Sequence, residues 1–250
     1  MSKFSKKPVL VEKKYLIPFI AITSMFFLWG VANDVTNPMV SAFKKIMPEL
    51  SNFQAALVQL AFYGGYGTMA IPAALFIRKY NYKSGILIGL LLYAIGAILF
   101  WPAAVYEQFT FFLMSLYILT FGLAFLETTA NPFILSLGDS RTATQRLNLS
   151  QAFNPIGSLM GMAIAQLIII ENLRSDDYSP DAYNALSPDQ IAFIRQEDLN
   201  IISEVYVGLG ILIFAVMFVI FFIKIPGKDE KSKLSVKENI NILRRNKRYY

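Results

Sequence analysis

One carboxylate, Glu127, lies near the middle of a stretch from Phe109 to Leu137 that holds no Lys, no Arg and no other acid. A run of that length exceeds the roughly 20 residues that cross a bilayer core. An ionised side chain at its centre costs at least about 2.5 kcal/mol and is rarely kept without a task. Burial disfavours the charged form of a carboxyl, and a carboxyl that changes form near neutral pH can carry a proton. The alternative is a protonated Glu that hydrogen-bonds a neighbouring helix and only holds a bundle together.

A second acid, Asp34, stands in the polar cluster Trp29-Gly-Val-Ala-Asn33-Asp34-Val-Thr36-Asn37-Pro38. Trp29, Asn33 and Asn37 recur every four residues and share a helical face, with Asp34 about 100 degrees beside Asn33. A cluster this polar inside a span faces protein or a watery cavity rather than lipid. Asp34-Val-Thr36-Asn37-Pro38 is echoed by Glu127-Thr-Thr129-Ala-Asn131-Pro132: an acid, a Thr, then Asn-Pro. Pro frees a backbone carbonyl from its helical bond, and a ligand can use that carbonyl.

A third polar set is Asn148, Gln151 and Asn154, stepping by three along one face. Amides both donate and accept, which suits sugar hydroxyls, although polar side chains also join membrane helices to one another. Gln59, Phe62, Tyr63 and Tyr66 add aromatic rings that either stack on a sugar or simply pack, and Tyr63 is placed in the candidate site.

The elements that must position these residues are transmembrane helices. The chain is 55% hydrophobic and 16% charged, with 21 Phe and 13 Tyr among 250 residues. That composition excludes a disordered chain and argues against an ordinary soluble domain. Spans are expected over 15–43, 53–77, 84–104, 109–137, 147–170 and 205–223, so the fold class is an all-α membrane protein with six transmembrane helices. A short surface helix over 188–198, started by Ser187-Pro-Asp-Gln190, is expected outside the membrane before the sixth span.

Of the 23 Lys and Arg, all but Lys44, Lys45, Arg174 and Arg195 fall on one side of this arrangement. The positive-inside rule makes that side cytoplasmic. Residues 1–14 form a cytoplasmic N-terminus, 15–225 the bundle with an outer loop at 171–204, and 226–250 a basic cytoplasmic linker. This distribution accounts for the net charge of +6 without nucleic acid. The sequence has no His and no Cys, which removes histidine relays, thiolate nucleophiles and the commonest metal ligands. No metal site, cofactor or enzymatic activity is expected.

The segments Phe26-Phe-Leu-Trp-Gly-Val-Ala-Asn33, Phe53-Gln-Ala-Ala-Leu-Val-Gln59, Leu126-Glu-Thr-Thr-Ala-Asn-Pro132 and Arg146-Leu-Asn-Leu-Ser-Gln-Ala-Phe-Asn154 resemble the fucose–galactose–hexuronide branch of the major facilitator superfamily. The resemblance covers essentially the whole chain. It implies the N-terminal half of a twelve-helix fold, built of 3+3 inverted repeats and lacking a C-terminal six-helix partner, in a bacterial inner membrane. It implies proton-coupled import of L-fucose or a similar monosaccharide. The alternatives are a glucose or galactose transporter coupled to protons or sodium, and a non-transporting sensor or assembly subunit. By the same resemblance Glu127 takes part in proton coupling, and Gln151 and Asn154 contact sugar. One departure stands out: the family's helix-one aspartate aligns with Asn37, and the nearest acid is Asp34. Asp34 is therefore the second candidate proton-coupling group. Asn33, Asn37, Gln151, Asn154, Trp29 and Tyr63 form the candidate substrate set. Arg78-Lys-Tyr-Asn-Tyr-Lys83 is a degenerate version of the superfamily's loop signature.

Overall fold

The computed structural model describes residues 9–223, which are helical throughout apart from short connections. The first three residues of the basic N-terminal run, Lys3, Lys6 and Lys7, and the expected linker 226–250 lie outside the described residues.

The first span is not one rod. Helix α1 (Leu16–Thr36) gives way at Asn37-Pro38 to α2 (Met39–Ile46). Pro38 has no N–H to offer the Asp34 carbonyl one turn back, so the helical ladder lapses where the polar cluster sits. Helix α3 (Asn52–Lys79) starts in a complete capping box: Gln54 N donates to Ser51 Oγ and Ser51 N to Gln54 Oε1. Asn81 caps α4 (Tyr82–Ile98), which continues as α5 (Phe100–Val105). Helix α6 (Phe109–Ser136) runs unbroken through Pro132.

The fifth span begins four residues earlier than expected. It is assembled from α7 (Ala143–Gln151), α8 (Phe153–Ile164) and a π-helical turn, Ala165–Ile169. A five-residue helix α9 (Pro180–Asn184) follows in the loop. The expected separate surface helix 188–198 does not exist as such. It is the start of one continuous 35-residue helix, α10 (Pro188–Phe222), which includes the sixth span. The Ser187 capping box starts it as anticipated, but Ile191–Glu204 contains neither Gly nor Pro, so nothing stops the helix before the apolar run begins. At about 1.5 Å per residue α10 reaches roughly 52 Å, well past a 30 Å bilayer core.

Two close crossings organise the bundle. Span one meets span five where a Cβ on Gly157 would collide with the Phe27 carbonyl and one on Gly161 with the Val31 carbonyl. This is the Gly-x-x-x-Gly spacing that lets membrane helices touch backbone to backbone. Thr23 Oγ1 and Ser150 Oγ share a hydrogen bond of 2.9 Å across the same contact. Spans three and four meet in the same manner at Gly89 and Gly122. Spans two and five remain largely uncovered, with 17% and 22% of their apolar windows buried against 56% for spans one and four.

The two ends of the bundle are chemically distinct. At one end Lys45 pairs with Asp176 at 2.6 Å and Arg195 with Glu49 at 3.0 Å. These pairs gather two of the four cations that the charge pattern separates from the rest into links between the first and last extramembrane loops, and Lys44 donates to Asn52 beside them. At the other end Lys83 Nζ donates to the last carbonyls of α10, Phe221 O at 2.7 Å and Ile223 O at 2.9 Å. There, too, the Arg141 guanidinium and backbone N–H hold the Asp139 carboxyl down to about 2, so it is ionised throughout the physiological range.

Arg146 corrects the sequence expectation most sharply. The expected spans leave it in a loop, yet it is fully buried at that same end. Its guanidinium donates to the carbonyls of Ile134, Leu135, Asp139 and Leu10 and to Thr142 Oγ1, at 2.7 to 3.2 Å. No carboxylate is needed, because the last carbonyls of α6 present the negative end of a helix dipole.

Candidate functional site

Glu127 and Asn131 sit one turn apart on α6, so their side chains share a face. They open into a pocket of about 360 Å³ that is also lined by Tyr66, Ala70, Ala124, Thr128 and Pro132. The walls therefore come from spans two and four. Glu127 is half-buried, and no Lys or Arg lies within ion-pair distance of it among the described residues. Pro132 deprives the Thr128 carbonyl of its helical donor at the pocket wall.

Span one reaches the pocket wall through Trp29, whose Nε1 donates to the Tyr66 hydroxyl at 2.6 Å. Span five reaches it through Gln151, whose Nε2 donates to Asn131 Oδ1 at 3.1 Å. Asn131 Nδ2 in turn donates to the Glu127 carbonyl at 3.2 Å. Four spans thus converge on one small volume: an acid, a phenol, an indole and two amides, which together can exchange a proton and hydrogen-bond a polyol.

The other candidates are placed as follows. Asn154 donates to the Phe26 carbonyl at 3.2 Å, so it also serves the contact between spans one and five. Asn33 Oδ1 is buried without a hydrogen-bond partner, an unmet acceptor on the Trp29 face. Asn37 Nδ2 donates to Asp34 Oδ1 at 2.8 Å, so these two pair with each other at the break between α1 and α2. No hydrogen bond or ion pair joins that pair to Glu127 among the described residues. Tyr63 is 61% exposed and stands edge-on to Phe62, outside the pocket lining. Of the two tyrosines, Tyr66 is the one that lines this pocket. The polar stripe of span five is open, with Asn148 and Gln151 exposed.

A family profile for the Major Facilitator Superfamily matches residues 16–249. The chain is 54% identical over 245 residues to an L-fucose-proton symporter of Haemophilus influenzae, covering 96% of this chain and 57% of that protein. It is 34% identical over 159 residues to a glucose/galactose transporter of Brucella abortus, covering 64% of this chain and 38% of the relative. Its bundle superposes on the crystal structure of the fucose:proton symporter FucP of Escherichia coli with a TM-score of 0.80 at 36% identity, covering 93% of this chain and 56% of that one. The chain spans about half the length of the curated relatives it matches.

Proposed function

The chain belongs to the major facilitator superfamily, and from that premise we propose that its bundle forms one side of a secondary active transporter that moves a monosaccharide such as L-fucose together with protons. The observation that carries this reading is the convergence of Glu127, Tyr66, Trp29, Asn131 and Gln151 on one pocket. Hydrogen-bonding groups held around a carboxyl inside a membrane bundle are what proton-linked sugar binding requires. Of the coupling ions left open by the sequence, the proton is the one in the names of the symporter relatives, and no observation supports sodium. Glucose or galactose stays the alternative substrate, because several relatives carry that name.

Glu127 is the coupling carboxyl in this reading, and Trp29, Gln151, Asn154 and Asn33 serve the sugar. Asp34 and Asn37 form an accessory pair at the end of span one. The basic end of the bundle, with Arg141 and Lys83, faces the cytoplasm of a bacterium, and the outer loop faces away. A second six-helix unit covers the exposed face of span two and the stripe of span five at Asn148 and Gln151, and supplies the rest of the binding site.

Glu127→Gln tests this in the intact transporter. The amide keeps the volume of the acid and stands for its protonated form. Sugar binding and exchange across vesicles are expected to persist while proton-driven accumulation falls to the equilibrium level. Accumulation at the unaltered rate would overturn the assignment of Glu127.

A further inference from the structure

Far from the Glu127 pocket, the end of span five and α10 diverge around an open-sided groove of about 950 Å³. Its membrane-depth wall is apolar, with Leu167, Ile168 and Leu212 about half exposed. Leu167 and Ile168 belong to the π-helical turn Ala165–Ile169, where span five leaves ordinary α-geometry, and such turns recur at functional sites. On α10, Glu204, Gly208 and Leu212 are spaced by four and form one stripe along the groove. A Cβ on Gly208 would meet nothing within 4 Å, so the gap is real space rather than a helix contact.

The loop end of the groove is charged. Glu171, Asp177, Glu204 and Arg174 stand there, and the Arg174 Nε is already paired with Glu197. Glu204 and Asp177 have no ion-pair partner among the described residues. From Glu204 to Leu212 the floor is about 12 Å long, the length of several acyl methylenes rather than of a small polar solute.

We propose that this groove holds a phospholipid with a primary ammonium headgroup, of the phosphatidylethanolamine type. Its acyl chain lies along Leu212 and Ile168 over Gly208, its ammonium donates to Glu204 and Glu171, and its phosphate faces the exposed guanidinium of Arg174. The pairing is selective by chemistry. A primary ammonium offers N–H donors to carboxylates, whereas a trimethylated choline offers none. An anionic glycerol headgroup would bring a further negative charge to three carboxylates with one guanidinium between them.

The test is native mass spectrometry of the protein in mild detergent, titrated with phosphatidylethanolamine, phosphatidylcholine and phosphatidylglycerol of identical acyl chains. One retained phosphatidylethanolamine is expected, favoured at least fivefold over the other two. Gly208→Phe fills the groove and should abolish the retained adduct. The double change Glu171→Gln and Glu204→Gln should keep lipid binding but bring phosphatidylethanolamine and phosphatidylcholine to parity. Equal retention of the three lipids by the unaltered protein, no retained lipid, or an adduct indifferent to Gly208→Phe would each overturn the proposal. If Gly208→Phe loses helical circular dichroism, the carboxylate pair decides alone: parity supports the site and an unchanged preference rejects it. The readout involves no sugar and no transport, so it stands or falls separately from the function proposed above.

Discussion

A single hydrogen bond, from the Trp29 indole to the Tyr66 hydroxyl, fixes the phenol that faces Glu127 across the pocket. Trp29→Phe keeps an aromatic body and removes the donor. A net hydrogen bond is worth about 1 kcal/mol, so sugar affinity in the intact transporter is expected to weaken about fivefold. Isothermal titration or competition binding would read this, and an unchanged affinity would mean that Tyr66 holds its position without help. Arg146 makes the opposite kind of contribution, to stability rather than to binding. Arg146→Lys keeps the charge but gives up the planar fork that reaches five acceptors on three segments. A loss of about 2–4 kcal/mol is expected from the carbonyls left unpaired, visible as a clear drop in thermal midpoint with sugar selectivity intact. A midpoint within a degree of the parent would show that water replaces the guanidinium.

At the scale of the helix, what the sequence discloses depends on whether its pattern has a phase. Spans exist wherever an apolar run is long enough, so all six were legible from composition alone. Rotation was not. Span two is apolar almost all round, and nothing in its sequence says whether Tyr63 or Tyr66 turns inward, since they differ by only about 60 degrees of helix rotation. In the structure Tyr66 lines the pocket, and Gly65 beside it packs on Thr120 of α6. The length of α10 was misjudged for a related reason, since a polar segment ends a span but does not end a helix. Arg146 was misplaced because counting cations by side says nothing about which of them the backbone needs. The pairing of spans one and five, invisible in the sequence, also yields a paired prediction. Gly157→Leu must push the two backbones apart and should leave little folded protein by size-exclusion chromatography. Gly67→Ala, where a Cβ meets nothing within 4 Å, should raise stability by about 0.5–1 kcal/mol through helix propensity. If Gly157→Leu were tolerated as well as Gly67→Ala, the close crossing would not be what holds these spans.

For the whole molecule the question is which way the bundle lies in its membrane. Lys45–Asp176 and Arg195–Glu49 mark one end, and Arg146, Lys83 and Asp139 the other. Because the chain has no Cys, single cysteines report sidedness without background. Ala185→Cys and Ser140→Cys both occupy exposed positions at opposite ends. In intact cells an impermeant maleimide should label the first and spare the second, and the reverse pattern would invert the orientation. The bond between Thr23 and Ser150, together with the glycine crossing below it, also bears on how the protein is made. These partners lie 127 residues apart in the chain. A ribosome adding about 5–20 residues per second needs roughly 6–25 s to deliver the second after the first. For that interval span one stands in the membrane without the helix it packs against most closely, its face at Phe27 and Val31 covered by lipid or by the insertion machinery. Spans two to four are delivered before its true neighbour arrives. Assembly of the first-made segment therefore waits on the fifth, and a chain released from synthesis before Ser150 has its first span inserted and nothing to close it.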